Sequence, residues 1–168
     1  MPTPTFRPIA PRDLDRVAEI NEANVPEVGA VDRDRLAFLV AESAIALAVD
    51  VDDVVVGFCL VLPPGSEYDS INYRWFAERY PSAMYLDRVA FDESARGRGM
   101  GTALYAEVGR IMFEHHPTAD ALTLEVNVDP PNEPSLRFHR KLGFHEVGRQ
   151  IAHGVEVSLM RRPTTEVG

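Results

Sequence analysis

Arg96-Gly97-Arg98-Gly99-Met100-Gly101 stands between an apolar run, Met84 to Phe91, and an amphipathic segment, Thr102 to His116. The run reads as a strand and the segment as a helix. A glycine-rich turn at a strand-to-helix junction leaves backbone N–H groups without partners, and the helix dipole adds partial positive charge there. Such a turn holds a phosphate or pyrophosphate. Arg96 and Arg98 strengthen that reading, because guanidinium pairs with phosphate in a bidentate way. Spacing excludes two common phosphate loops. The chain has no G-x-x-x-x-G-K-[ST], and its G-x-G-x-G lies deep in the chain, unlike the G-x-G-x-x-G after the first strand of a dinucleotide fold.

Outward from the turn, the chain divides into short elements. Thr5 to Ile9 reads as a first strand and Pro11 to Asn24 as a helix, with proline in its first turn and Leu14, Val17 and Ile20 on one face. Pro26 ends it. Asp32 can cap a second helix, Arg33 to Ser43. Ala44 to Val49 and Val54 to Leu62 flank Asp50-Val51-Asp52-Asp53 as a hairpin. Glu67 to Tyr80 is rich in aromatics, and if Ile71 to Tyr80 is helical, Tyr73, Phe76 and Tyr80 share a face. The helix after the turn carries Met100, Leu104, Val108, Ile111 and Met112 on one side. Ala121 to Val128 is a fifth strand, and Glu133 to Leu142 is a helix stopped by Gly143. Phe144 to Ile151 and Val155 to Arg161 are the last strands. The order βααβββαβαββ means a mixed α/β sheet of seven strands.

Length and composition fit one domain over residues 1–168 of ordinary globular composition, 45% hydrophobic and 26% charged. No apolar run approaches membrane-spanning length, and Met1-Pro2-Thr3-Pro4 lacks the regions of a signal peptide, so a cytoplasmic protein without a membrane partner is expected. The one cysteine, Cys59, lies in an apolar run and reads as a buried, inert thiol. The net charge of −9 is uneven: residues 1–84 carry 14 acids against 7 Lys and Arg, residues 85–168 carry 12 against 10. The half with the turn is the less acidic. An acidic chain disfavours nucleic acid and mildly favours an amine substrate, a generic solvated acidic surface being the alternative.

A second motif follows the fifth strand. Glu125-Val126-Asn127-Val128-Asp129-Pro130-Pro131-Asn132-Glu133-Pro134-Ser135-Leu136-Arg137-Phe138-His139-Arg140-Lys141-Leu142-Gly143-Phe144 closely resembles a signature of the GNAT acetyltransferase superfamily. The turn matches that superfamily's pyrophosphate motif R-x-x-G-x-G through Arg96, Gly99 and Gly101. The element order agrees too, so the resemblance covers about residues 4–161. It implies a mixed sheet splayed between the fourth and fifth strands, with helices on both faces. The donor is then acetyl-CoA, and no metal takes part. Its pantetheine arm would pair with the fourth strand around Val89, Ala90 and Phe91. Its pyrophosphate would sit on Arg96, Gly97, Arg98, Gly99, Met100, Gly101 and Thr102. Asn127, Asn132 and Ser135 would also belong to the cofactor site.

In this family a primary amine attacks the thioester directly. The family usually places tyrosine at the position held here by His139. That histidine is open to three readings: the acid for the departing thiolate, a hydrogen-bond donor to sulfur, or a helix-face residue packed beside Phe138. Glu125, Asp87 and Asp129 are candidates for the base, and strand alternation sets Asp87 and Arg88 on opposite faces. Histone-acetylating members carry a glutamate on the fourth strand where Tyr85 stands here. Tyr68, Tyr73, Trp75 and Phe76 could form an aromatic surface for the acceptor. Ordinary core or dimer packing is the alternative, so a homodimer stays open. His115-His116 lacks a third ligand at useful spacing, so no metal is expected. The overall expectation is an N-acetyltransferase for a small-molecule amine. The rivals are a non-catalytic acyl-CoA sensor and a protein or peptide acetylator.

Overall fold

A computed structural model describes residues 3–164. The strands are β1 Thr5–Pro8, β2 Ile45–Val51, β3 Val54–Leu62, β4 Ala83–Phe91, β5 Ala121–Asp129, β6 His145–Ala152 and β7 Val155–Pro163. The helices are α1 Leu14–Ala23, α2 Arg33–Glu42, α3 Ile71–Arg79, α4 Met100–His115 and α5 Glu133–Lys141, and 3-10 turns cover Pro11–Asp13 and Glu93–Ala95. The sheet has seven strands in the order β1-β2-β3-β4-β5-β7-β6. This is the mixed α/β class expected, with α3 added between β3 and β4. The parallel pairing of β4 with β5 joins Ala83, Met84 and Tyr85 to Ala121, Leu122 and Thr123 and ends there. Internal contacts cluster into two compact units. One takes the chain through Leu62 together with Asp87–Ile111; the other takes Pro63–Leu86 and the chain from Met112.

In the first unit, β2 pairs antiparallel with both β1 and β3. The β2–β3 turn sets Asp52 and Asp53 at φ of 51° and 63°, the left-handed pair that matches the twist of a two-residue hairpin. Asp32 caps α2 by accepting from the Arg35 N–H at 2.7 Å. Val17 and Ile20 of α1 and Leu36 and Leu39 of α2 are buried, with both helices packed on β3. Cys59 is buried as expected, and burial pushes its thiol up to about 12, which leaves it protonated and unreactive.

A charge cluster not anticipated from the sequence ties this unit's first strand down. Arg7 donates to both Asp13 oxygens, at 2.7 and 2.9 Å, and to Asp50 at 2.7 Å, and the Ala10 N–H donates to Asp13. The Arg7 guanidinium holds the buried Asp13 carboxyl down at about 2. A carboxyl depressed on folding stabilises above its unfolded pKa, and that contribution fades as pH falls toward the folded value. Denaturant melts should therefore show a loss on the order of 2 kcal/mol between about pH 4 and pH 2 that Asp13→Asn lacks. The same acid slope in both proteins would remove Asp13 as its source.

In the second unit, β5 pairs antiparallel with β7, and β7 with β6. The Thr123 hydroxyl, fully buried, donates to the Met84 carbonyl at 2.9 Å. α3 is fastened to β6: the Gln150 amide donates to Asn72 Oδ1 at 2.6 Å, and the Trp75 ring lies where a Cβ at Gly148 would come within 2.4 Å of it. Gly148 is thus required by a close approach. Ser70 caps α3 through the Tyr73 N–H.

Candidate active site

The glycine turn keeps the shape that its sequence predicts. Gly97 and Gly99 have φ of 72° and 74°, and a Cβ on either would meet nothing within 4 Å. Their requirement is conformational and not steric. Gly99 accepts the first helical bond of α4, from the Ala103 N–H at 3.1 Å. The amides of Met100, Gly101 and Thr102 belong to the first turn, where no intrahelical acceptor exists. Gly101 therefore lies inside α4. Arg96 and Arg98 are exposed beside these amides. The turn so assembled suits a polyanion: N–H groups, a helix N-terminus and two guanidinium groups.

The approach to the turn is fixed on both sides. The Asp92 N–H donates to the Val56 carbonyl at 2.7 Å, and its carboxylate accepts from the Ser94 N–H and from Arg16. On β4, Ala90 is buried while Val89 and Phe91 are half-buried. Gly57 of β3 lets the Phe91 ring lie close, since a Cβ there would come within 2.4 Å of it. Asn24, just past α1, donates to the Phe91 carbonyl at 3.1 Å and accepts from Arg96 at 2.8 Å. The sequence reading missed Asn24 as a site residue. Its place at a helix end ahead of Pro26 offered only a capping signal.

Asp87 does not stand ready as a base. Arg88 Nε donates to it at 3.1 Å, and the two side chains are only 11% and 6% exposed. Arg88 also donates to Asn21 Oδ1 at 3.0 Å and to the Gly29 carbonyl. The long arginine thus folds back toward its neighbour despite strand alternation. A carboxylate paired in this way would break the ion pair on taking a substrate proton. Asp87 reads as the structural partner of Arg88.

Glu125 is placed differently. It is half-buried on β5, and the Tyr85 hydroxyl donates to its Oε2 at 2.6 Å. Tyr85 is 1% exposed and packs edge-on to Tyr73, with ring centroids 5.5 Å apart, and against Phe76 at 5.9 Å. A tyrosine of β4 and a carboxylate of β5 thus form one hydrogen-bonded pair. The sequence gives no sign that Tyr85 and Glu125 meet. Nothing in the spacing links two residues 40 positions apart.

His139 is buried between Phe138 and Phe144, both edge-on at 5.2 and 5.5 Å. Its Nδ1 lies 2.8 Å from the Ser135 carbonyl. A carbonyl only accepts, so Nδ1 carries the proton and the neutral ring keeps a lone pair on Nε2. Burial, with Arg162 nearby, pushes the imidazole below its ordinary value. Of the three readings of His139, the cationic acid is therefore disfavoured, and the packed histidine beside Phe138 describes it better. Asn132 accepts from the Ser135 N–H at 3.4 Å as the cap of α5, and its own N–H donates to the Asn127 carbonyl at 3.0 Å. Asn127, Asn132, Ser135 and His139 thus form one hydrogen-bonded run.

The aromatic surface needs correcting. Tyr68, Tyr73 and Phe76 are buried, and the Tyr73 hydroxyl donates to the Pro63 carbonyl at 2.6 Å. Tyr73 and Phe76 are core because α3 turns them inward onto Tyr85, and Tyr68, ahead of the helix, packs on Tyr73 with ring centroids 5.8 Å apart. Trp75 lies against Gly148, and the Arg79 guanidinium covers its ring at 4.1 Å. Arg161 does the same to Tyr80 at 5.0 Å. Among the described residues, no group of three or more His, Cys, Asp and Glu is placed to hold a metal ion, and no helix is long and apolar enough to cross a membrane.

Comparison with known proteins bears on these features together. The fold is similar to that of Ard1 from Thermoplasma volcanium, with a TM-score of 0.76 and 22% identity over 95% of this chain and 97% of the other. It is similar to the ribosomal-protein-S18-alanine N-acetyltransferase of Escherichia coli, with a TM-score of 0.72 and 15% identity over 96% and 94%. Arabidopsis thaliana NAA60 in complex with acetyl-CoA gives a TM-score of 0.73 and 21% identity over 96% and 99%. No curated protein sequence matches significantly. The family model described as Acetyltransferase (GNAT) family matches residues 13–144, a span that contains the glycine turn, the Tyr85–Glu125 pair and the motif ending at Phe144. The chain belongs to the GNAT acetyltransferase family.

Proposed function

We propose that the chain transfers the acetyl group of acetyl-CoA directly to the primary amine of a small molecule. The observation that carries the reading is the half-buried Glu125 carboxylate held at 2.6 Å by the Tyr85 hydroxyl. In the proposed reaction Glu125 takes a proton from the amine, and the amine nitrogen attacks the thioester carbon. A backbone amide beside the thioester donates to the developing oxyanion. The C–S bond then breaks, and the thiolate leaves to be protonated by solvent. No part falls to a cationic His139. The arginines and first-turn amides of the turn receive the pyrophosphate. Tyr73 and Phe76 pack behind Tyr85, and this filled wall favours a compact acceptor over a chain running past it.

Thiol release from acetyl-CoA, followed with a panel of small amines, amino acids and N-terminal peptides, tests the reading. Release with small amines supports it. Release with peptides alone would favour a protein acetylator, the activity named for the Escherichia coli protein of similar fold. Binding of acetyl-CoA with no release from any acceptor would favour a sensor. Arg96→Ala should weaken acetyl-CoA binding about 10- to 100-fold, the worth of a charge-assisted contact. Unchanged affinity would undo the pyrophosphate assignment.

A further inference from the structure

Arg96 is exposed on a turn, and a lone arginine there samples many rotamers that do not face a ligand. Here one of its five N–H donors is already committed, to Asn24 Oδ1 at 2.8 Å. Asn24 is itself held. Its side-chain NH2 donates to the Ile20 carbonyl at 2.7 Å and to the Phe91 carbonyl at 3.1 Å. Its backbone N–H donates to the Asn21 carbonyl at 3.0 Å, and its carbonyl accepts from the Val28 N–H at 3.1 Å. Two carbonyls face the NH2 and a guanidinium faces the oxygen, so the amide orientation is fixed by chemistry. Capping α1 requires only the local contact to Ile20. The contacts to Phe91 and Arg96 reach 67 and 72 residues along the chain.

We infer that Asn24 is a positioning residue for the acyl donor: held by the Ile20 and Phe91 carbonyls through its NH2, it aims the Arg96 guanidinium with its oxygen. The inference rests on the pyrophosphate reading of the turn. Asn24 itself need not touch the donor. Its oxygen restricts the guanidinium while leaving four N–H donors for the anion, so the ordering cost of one flexible side chain is met before binding. An aspartate would not serve, because its second oxygen would face the Ile20 and Phe91 carbonyls.

Asn24→Ser separates aiming from capping. A serine hydroxyl reaches the carbonyl four residues back but is too short to reach Arg96. Dissociation constants should be measured for acetyl-CoA and for S-acetylpantetheine, which has the arm without the pyrophosphate. Asn24→Ser is expected to weaken acetyl-CoA binding about 3- to 10-fold, to leave S-acetylpantetheine unchanged, and to have no effect in an Arg96→Ala background. Equal losses for both donors, a full effect without Arg96, or no loss at all would overturn the positioning role. If Asn24→Ser does not fold, Asn24→Thr, which keeps a hydroxyl for the Ile20 carbonyl and is equally too short to reach Arg96, replaces it in the same cycle. Failure of Arg96→Ala to discriminate the two donors would instead overturn the pyrophosphate reading itself, and the inference with it.

Discussion

Glu125→Gln is expected to lower kcat/KM about 10²–10⁴-fold, the usual worth of a general base, while acetyl-CoA affinity stays as it was. The amide matches the carboxylate in shape and keeps an oxygen for the Tyr85 hydroxyl, so the fold should be undisturbed. What it loses is the lone pair that takes the proton. Tyr85→Phe keeps the ring packed against Tyr73 and Phe76 and removes only the hydroxyl. Losing one hydrogen bond to a charged group should cost about tenfold or more, less than the loss of the carboxylate. Steady-state kinetics with an accepted amine measure both. Full activity in Glu125→Gln would remove this carboxylate from the chemistry and leave deprotonation to solvent.

Phe76→Ala should cost about 3–5 kcal/mol of stability, as large-to-small changes of buried aromatic residues do. Phe76 is 2% exposed and packs on Trp75, Tyr80 and Tyr85. The effect belongs to folding: a lower denaturation midpoint, with loss of the wall behind Tyr85 as a secondary consequence. An unchanged midpoint combined with an altered KM for the acceptor would return Phe76 to the role of a substrate contact.

These two residues also mark what the sequence makes legible. The glycine turn, the cap at Asp32, the Asp52–Asp53 hairpin and the stop at Gly143 are local events, written in neighbouring residues, and the structure keeps them. The helical spacing of Tyr73, Phe76 and Tyr80 was equally legible. Periodicity identifies a face but not what that face meets, and this one meets Tyr85. Tyr85 with Glu125, and Asn24 with Arg96, are joined only by the fold, 40 and 72 residues apart. Alternation sends Asp87 and Arg88 to opposite faces and leaves Asp87 open to a catalytic or a structural role, and only the fold shows the long arginine side chain reaching back to it. Ser135 and Phe138 are near neighbours of His139 in the helix pattern, but its burial and the approach of Arg162, which push the imidazole down against the pull of the Ser135 carbonyl, come from the fold.

The guanidinium over Trp75 has a further consequence. Arg79 sits on the same helix as the ring it covers, at 4.1 Å, so it acts as a tethered ligand. A dissolved ammonium compound seeking that ring face competes with an intramolecular cation whose effective concentration is on the order of millimolar or above. Amines present at lower concentration do not displace it. The Trp75 ring face is thus kept occupied by the protein itself and is closed to dilute amines as a cation trap.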